Sequence, residues 1–280
     1  MKEILEKAKI VKDLIKNADY VLIGAGAGLS TSAGLEYSGK RFEDNFKEFI
    51  EKYHFNDMYT AGFYDFKSEE EKWAFWAKKI YINDTGINAT KLYKDILELF
   101  RNKKYFVITT NVDDQFYKAG FDKENIFAAQ GSFRYIQCSR ACHNKLYDAK
   151  DLVKEMIEKT KNCKIPTELV PICPVCGEKM SVNVRTDANF IQDDNWYRQD
   201  RKYSDFLDNT KNKNVLLIEL GVGFNTPGII RIPFEQMTYQ NSNWKLVRIN
   251  KDNCTTFFDI KNKSILIQSD IDKIIKLLLE

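Results

Sequence analysis

Four of the six cysteines lie in two close pairs. Three residues separate Cys138 from Cys142, and two residues separate Cys173 from Cys176. Four thiolates at such spacings are typical of a tetrahedral structural zinc site. We therefore predict one zinc ion bound by these four cysteines. His143, next to Cys142, is an alternative ligand, and buried thiols without a metal are the remaining interpretation.

The second group of residues that could do chemistry is the glycine-rich segment Gly24–Gly28, which reads Gly-Ala-Gly-Ala-Gly. It follows the apolar run Tyr20–Ile23, so the pattern predicts a strand, a tight turn and the start of a helix. Glycines let a backbone approach a pyrophosphate, and the free N–H groups at a helix start bind it. Thr31 holds the position of the third glycine in the dinucleotide fingerprint, so a plain strand–helix turn is the alternative.

Asn111 and Asp113 form the third group. They lie within Thr109–Asp114, directly after the predicted strand Tyr105–Thr109. Ligands of an open α/β sheet collect beyond the carboxyl ends of its strands, so this amide and carboxylate are expected to face such a ligand. The alternative is that either side chain caps the following helix.

The hydrophobic pattern indicates the elements that must position these residues. Short apolar runs alternate with helical stretches such as Lys91–Phe100 and Ile271–Leu279, after an amphipathic helix within residues 1–17. This alternation predicts an α/β fold with a Rossmann-like parallel sheet and helices on both faces. The predicted strands are Tyr20–Ile23, Tyr105–Thr109, Ile126–Ala129, Val215–Leu220, Leu246–Ile249 and Ser264–Ile267.

Two segments interrupt this alternation. Residues 40–84 are dense in aromatic side chains, which predicts a core-forming helical insert, with a ligand cage as the alternative. Residues 137–183 contain both cysteine pairs and predict a small zinc-ribbon module. The remaining ranges, 1–39, 85–136 and 184–280, are then expected to form one Rossmann-type nucleotide-binding domain.

Composition excludes several classes of function. The 280 residues carry 43 basic and 40 acidic side chains, a net charge of +3, so we expect no binding to nucleic acid. No run of about 18 apolar residues occurs, so no membrane span is expected. The first residues lack the apolar run of a secretory signal, and the paired cysteines suit a reducing compartment, which predicts a cytoplasmic protein.

In order and spacing, these motifs resemble the sirtuin family. The resemblance runs from Gly26–Gly34 through Thr110–Asp113 and Gln130–Ser132 to the cysteine pairs, and continues to the end of the chain with Gly221–Gly223 and Arg248–Asn250. It implies a Rossmann body that binds NAD and carries a zinc module. The positions implied to bind NAD are Gly26, Ala27, Gly28, Ser30, Gly34, Tyr37, Asn111, Asp113, Gln130, Gly221, Gly223, Asn225, Asn250, Asp270 and Ile271.

The departures from the family pattern indicate a particular reaction. Typical sirtuins have Pro-Asp-Phe-Arg after the glycine segment, whereas this sequence has Glu-Tyr-Ser-Gly at residues 36–39, and Gln130 stands at the position of the catalytic histidine. Glutamine cannot accept the proton whose transfer contributes roughly 10²- to 10⁴-fold to a reaction such as deacylation. Gln130 together with Tyr37–Gly39 is similar to the macrodomain-linked class M sirtuins, which are protein ADP-ribosyltransferases.

This resemblance implies cleavage of the nicotinamide–ribose bond of NAD and transfer of ADP-ribose to a protein, with Asn111, Gln130 and Asp113 as catalytic residues. The implied acceptor is a lipoylated carrier protein, and the implied partner is a macrodomain hydrolase. Two alternatives stay open. An NAD-dependent lysine deacylase would release acyl-ADP-ribose, and a non-catalytic NAD or ADP-ribose binding module would release no nicotinamide.

Overall fold

The computed structural model describes residues 2–280, and its strands form two sheets. Every strand expected from the hydrophobic pattern is present, and each end lies within two residues of its expected position. The strands are β1 (Tyr20–Ala25), β2 (Lys104–Thr109), β3 (Ile126–Ala128), β4 (Gly131–Cys138), β5 (Tyr147–Asp148), β6 (Met180–Val184), β7 (Val215–Leu220), β8 (Trp244–Asn250) and β9 (Ser264–Gln268).

The larger sheet has six strands in the order β3-β2-β1-β7-β8-β9, and all neighbours are parallel. All six residues of β7 are buried, as expected for a central strand covered on both faces. The predicted parallel α/β fold is therefore confirmed.

The helices are α1 (Lys2–Asn17), α2 (Ala27–Ser32), α3 (Gly39–Asn45), α4 (Lys47–Tyr53), α5 (Met58–Ala61), α6 (Glu69–Ile80), α7 (Lys91–Phe100), α8 (Gln115–Ala119), α9 (Lys150–Lys159), α10 (Asp194–Thr210), α11 (Arg231–Gln240) and α12 (Ile271–Leu279). Some of them cover both faces of the large sheet. Helices α1, α7 and α12 pack on the face that receives Val21 and Ile23 of β1. Helices α10 and α11 pack on the opposite face, which receives Leu22. This alternation follows from the two-residue period of a strand.

The smaller sheet is antiparallel, in the order β5-β4-β6, and it carries the cysteines. The aromatic-rich segment is helical, as predicted, and includes α3 to α6 and a π-helix at Tyr81–Thr85. Phe46, Phe75, Cys138 and Met180 belong to one buried cluster. The aromatic helices and the cysteine-bearing sheet therefore share a core, and the domain boundaries drawn from the sequence stay a prediction.

No helix in the described part of the chain is long and apolar enough to cross a membrane.

Candidate functional site

A crevice forms where the strand order of the large sheet reverses. Strands β1 and β7 are neighbours in the middle of the sheet, and the chain continues from β1 toward one edge and from β7 toward the other. The loops after these two strands therefore leave in opposite directions. In open α/β sheets, ligands bind at this switch point, outside the carboxyl ends of the strands. The glycine segment follows β1, and Gly221–Gly223 follows β7.

The glycines of these two loops are required by contact between the loops themselves. A Cβ atom at Gly26 would lie 2.8 Å from the carbonyl oxygen of Gly221, and one at Gly28 would lie 2.8 Å from the Gly221 Cα. Gly221 has a φ of +63°, and its own Cβ would lie 2.3 Å from the Leu29 nitrogen. From the sequence, we expected Gly26 to let the backbone approach a pyrophosphate. In the structure the close neighbour is protein backbone, so these glycines first allow the crevice floor to form.

Four side chains form a hydrogen-bonded network beside this floor. The Ser30 hydroxyl on α2 donates to Asp113 Oδ2 at 2.5 Å and lies 2.8 Å from the Tyr93 hydroxyl on α7. Asn111 Nδ2 lies 3.1 Å from both hydroxyl oxygens and donates to the Gly26 carbonyl at 3.0 Å. Asn111 and Asp113 therefore meet Ser30, as expected if the loops after β1 and β2 border one ligand.

The network fixes the orientation of Asn111. Its main-chain N–H donates to Thr109 Oγ1 at 3.0 Å, and its amide nitrogen points toward Gly26, Ser30 and Tyr93. The amide oxygen therefore points away from these partners, and it can accept a hydrogen bond from a hydroxyl group or a water molecule. The alternative that Asn111 or Asp113 caps α8 holds only in part, because Asp113 Oδ1 accepts from the Gln115 N–H at 3.2 Å.

Burial controls the charge of the network. Burial raises the pKa of Asp113, against hydrogen bonds from Ser30 and Gln115 that lower it. Burial and the nearby Asp113 also raise the pKa of the Tyr37 and Tyr93 phenols, so both hydroxyls stay protonated at neutral pH. The site thus combines neutral hydroxyl and amide groups with one buried carboxyl group. Such groups can bind a carboxamide and can stabilise positive charge that develops nearby.

Two further residues implied to bind NAD make hydrogen bonds that connect neighbouring elements. Asn250 Nδ2 at the end of β8 donates to the Val222 carbonyl at 3.0 Å, so it braces the loop after β7. Asp270 Oδ2 accepts from the Ser32 hydroxyl at 2.9 Å and links α12 to α2. The others are distributed as follows: Ala27, Gly34, Gly223 and Asn225 are exposed, Tyr37 is half-buried, and Ile271 is buried.

Gln130 stands apart from the hydrogen-bonded network. It is half-buried in the connection between β3 and β4. Its main-chain carbonyl oxygen accepts from the main-chain N–H of Arg185 at 3.1 Å. The structure gives it no hydrogen bond to Ser30, Asn111 or Asp113. Its predicted contact with a ribose therefore stays a prediction.

Two residues near the site had no signal in the sequence. Tyr93 occupies an ordinary core position of α7, so its periodicity predicted packing alone. Lys79 is buried on α6 with its ammonium 4.6 Å from the Trp76 ring centroid and 5.5 Å from that of Tyr37. Burial lowers the pKa of Lys79 to about 8, against the nearby Asp57, which raises it. Only the packing of distant helices brings Tyr93 and Lys79 to these places.

The four predicted zinc ligands converge. Their Sγ atoms all lie within 4.8 Å of one another, with Cys138–Cys176 at 3.6 Å and Cys142–Cys173 at 3.7 Å. Zinc–sulfur bonds of about 2.3 Å in a tetrahedron place sulfurs about 3.8 Å apart, so the cluster fits zinc. His143 Nδ1 lies 3.0 Å from the Cys142 Sγ, and its Nε2 lies 2.9 Å from the Tyr147 hydroxyl. His143 is thus placed beside the four thiols as a hydrogen-bonding neighbour.

Comparison with known proteins agrees with this architecture. A model of the Sir2 family matches residues 26–218. A protein ADP-ribosyltransferase of Staphylococcus aureus (strain Mu50) is 35% identical over 276 residues, covering 98% of this chain and 88% of the relative. A probable bifunctional ADP-ribose hydrolase/ADP-ribosyltransferase of Fusarium oxysporum f. sp. cubense is 30% identical over 97% of this chain, which spans 47% of that relative.

Solved structures share the fold. Sir2Tm bound to a propionylated peptide superposes with a TM-score of 0.63 at 20% identity, covering 97% of this chain and 96% of the other. A Sir2 complex with a p53 peptide and NAD+ gives a TM-score of 0.63 at 19% identity, with the same coverage. The match to the family model and the 35% identical relative, together with the crevice and the cysteine cluster, show that this chain belongs to the Sir2 family.

Proposed function

We propose that this protein is an NAD-dependent protein ADP-ribosyltransferase. The observation that carries the proposal is the absence of an imidazole base at the crevice. The chain has two histidines. His143 lies beside the cysteine cluster, and His54 is exposed at the end of α4. Gln130 stands at the histidine position of the family and cannot accept a proton. The name of the 35% identical relative supports the same activity.

The residues of the network have distinct roles in this reaction. The C–N bond between ribose and nicotinamide breaks, its electron pair leaves with nicotinamide, and positive charge develops on the ribose. The Asp113 carboxylate and the Ser30 hydroxyl can hold the carboxamide and stabilise that charge, while the fully buried Tyr93 hydroxyl positions Ser30 and Asn111. Asn111, through its free amide oxygen, can orient a ribose hydroxyl or the incoming acceptor. Gln130 can add a hydrogen bond to the ribose. The new bond forms to a nucleophilic atom of the acceptor protein, whose proton passes to solvent.

The acceptor that we propose is a lipoylated carrier protein, with a macrodomain hydrolase that removes the mark. The proposal of this acceptor rests on the similarity of Tyr37–Gly39 and Gln130 to class M sirtuins. The hydrolase is supported by the Fusarium relative, whose name joins ADP-ribose hydrolase and ADP-ribosyltransferase in one chain. We also propose a cytoplasmic location, because a reducing compartment keeps four thiolates available for zinc.

Labelled NAD tests the proposal. Purified protein is incubated with labelled NAD and lipoylated carrier proteins, and label on protein, free nicotinamide and acyl-ADP-ribose are measured in parallel with an acetylated peptide. We expect label on a carrier with equivalent release of nicotinamide, and little deacetylated peptide. The unlipoylated carrier is the matched control. Efficient deacetylation at the rate of NAD consumption would establish a deacylase, and nucleotide binding without nicotinamide release would establish a binding module.

A further inference from the structure

A buried lysine without a carboxylate partner lies beside the residues of the crevice. Lys79 of α6 is 5% exposed, and its ammonium forms no ion pair or hydrogen bond within residues 2–280. Instead its Nζ lies 4.6 Å from the ring centroid of Trp76, 5.5 Å from that of Tyr37 and 5.8 Å from that of Phe133. Gly62 leaves room for it, since a Cβ atom there would lie 2.9 Å from the Nζ. Cation–π contacts with three rings therefore hold this charge.

The carboxylate whose charge acts on Lys79 is already engaged elsewhere. Asp57 accepts from the main-chain N–H groups of Tyr59 and Thr60 at 2.7 and 2.8 Å, and from the Thr60 hydroxyl at 2.7 Å. It therefore caps α5 and forms no ion pair with the ammonium. Burying a charge without such a partner is costly, so a role beyond packing is expected for Lys79.

The rings around Lys79 connect two loops that border the crevice. Tyr37, which the resemblance implied to bind NAD, lies in the segment after α2, and its main-chain carbonyl accepts from the Met58 N–H at 2.8 Å. Phe133 of β4 donates its main-chain N–H to the Val112 carbonyl at 2.8 Å, and Val112 lies between Asn111 and Asp113. The ammonium thus contacts one ring from the segment after α2 and one ring that is tied to the loop after β2.

The Tyr37 side chain links Lys79 to the hydrogen-bonded network. Burial and the charge of Asp113 raise the pKa of the Tyr37 phenol, so its hydroxyl lies within the field of that carboxyl group. The hydroxyl makes no hydrogen bond within residues 2–280. The Tyr37 ring is therefore held by Lys79, while its hydroxyl is free to form a hydrogen bond with a ligand.

We propose that Lys79 is a positioning residue for NAD, whose ammonium holds the Tyr37 ring in place beside the crevice. A cation–π contact with a desolvated ammonium is strong enough to change an affinity by about tenfold. The inference rests on NAD binding and on the expected contact of Tyr37 with NAD. It does not rest on the proposed transfer of ADP-ribose, because affinity is measured without turnover.

The contact requires the protonated ammonium, so NAD binding should depend on pH. Burial lowers the pKa of Lys79 to about 8, against Asp57 of α5, which raises it. Trp76 and Phe133 carry no charge, and Tyr37 stays protonated in this range. The charge of Lys79 is therefore present at pH 7 and largely lost at pH 9, and the affinity for NAD should fall between these pH values.

Calorimetry with the zinc-loaded full chain tests the proposal, using carba-NAD, an analogue whose nicotinamide–ribose bond is not cleaved. We expect the wild-type affinity to fall about fivefold from pH 7 to pH 9. Because binding then favours the protonated ammonium, it should take up about half a proton at pH 8.5, measured from the binding enthalpy in buffers of different ionisation enthalpy. Lys79→Met should bind about tenfold more weakly than the wild type at pH 7 and lack this proton uptake. Lys78→Met, the same change one residue earlier on α6, is the matched control and should keep both.

A second variant separates positioning of Tyr37 from a general effect on the fold. Tyr37→Leu removes the ring, so it should also lose the proton uptake, and Lys79→Met should weaken binding no further in that background. The proposal is overturned if carba-NAD does not bind the wild type, if a folded Lys79→Met keeps the wild-type affinity and proton uptake, or if the effects of the two variants add. Should Lys79→Met fail to fold, persistence of the proton uptake in Tyr37→Leu overturns the proposal, and its loss supports it.

Discussion

Replacement of Arg248 by methionine should destabilise the protein strongly, because Arg248 is the centre of a buried ion network. Its side chain is fully buried on β8, and its Nε and Nη2 donate to the two carboxylate oxygens of Glu219 at 2.6 and 2.8 Å. Nη1 donates to Glu235 at 2.7 Å and also to the Thr255 carbonyl. The Arg248→Met variant would leave Glu219, which is fully buried, without its principal cation.

The size of the stability loss follows from the buried Glu219 carboxylate that is left without a partner. Removing one partner of a buried pair costs about 3–5 kcal/mol, chiefly because the other charge stays desolvated. This is a large part of the roughly 5–15 kcal/mol by which domains are stable. The double variant Arg248→Met/Glu219→Gln removes both charges and should recover about 2 kcal/mol of the loss. Arg231, 3.9 Å from Glu219, supplies too distant a cation to replace Arg248 in the single variant.

The ion network of Arg248 should also affect the binding of NAD in the crevice. Arg248 holds the Thr255 carbonyl, and Arg231 Nη2 donates to the carbonyls of Asn253 and Thr255 at 3.1 and 3.0 Å. Both arginines therefore anchor the loop after β8. Arg248 belongs to Arg248–Asn250, a motif that the resemblance to sirtuins implied to hold NAD. Because its side chain is buried, Arg248 instead anchors this loop. We expect the KM for NAD to rise in Arg248→Met more than kcat falls, because Ser30 is untouched.

Urea denaturation followed by tryptophan fluorescence, with zinc present, measures the free energy of unfolding, and initial rates measure KM and kcat. Lys91→Met, which removes a surface ion pair with Asp95 on α7, is the control and should cost at most about 0.5 kcal/mol. The reasoning is refuted if Arg248→Met costs less than about 1 kcal/mol, or if the double variant is no more stable than the single one.

The other predictions concern the zinc site, the hydrogen-bonded network around Asn111, and the half-buried acid Asp114. Purified protein should contain one zinc ion per chain, and Cys173→Ser should lose it and unfold the small sheet; a metal-free, folded wild type in elemental analysis and circular dichroism would contradict this. Asn111→Ala should lower ADP-ribose transfer more than Gln130→Ala, because Asn111 is oriented by the network and Gln130 is not, with nicotinamide release as the assay and equal losses as the contrary result. Gln130→His should add deacetylation of an acetylated peptide, by about 10²-fold at most, and an unchanged product ratio would show that the base is not what limits deacylation. Burial and the carboxylate of Asp84 raise the pKa of Asp114 to about 7. Because this folded-state pKa lies above the unfolded value, the stability that protonated Asp114 contributes is complete below about pH 4 and is lost as pH rises to about 7. Asp114→Asn should therefore be more stable than the wild type at pH 8, by roughly 1–3 kcal/mol, and similar at pH 4, whereas equal thermal stability at both pH values would refute the shift.

The sequence by itself determined the elements whose signals are local. The apolar run Val215–Leu220 and the glycines after Tyr20–Ile23 predicted a strand and a loop at their observed places, because strand burial and tight turns act over a few residues. The spacing of the cysteine pairs predicted the cluster for the same reason, since the two cysteines of each pair lie on one short local turn. The order of the motifs along the chain was enough to predict the family.

Only the tertiary structure decided which of these residues touch. Ser30, Tyr93 and Asn111 come from three separate elements, and Tyr93 has the periodicity of an ordinary core residue, so nothing local marks it. The reason for Gly26 also changed, because its nearest neighbour, the Gly221 carbonyl, is almost two hundred residues away in the chain. Arg248 lies in the motif Arg248–Asn250, of which only Asn250 was expected to bind NAD, and its buried pairing with Glu219 had no signal in the sequence. Each of these contacts depends on how helices and strands pack across the sheet, and packing joins positions that no sequence window contains.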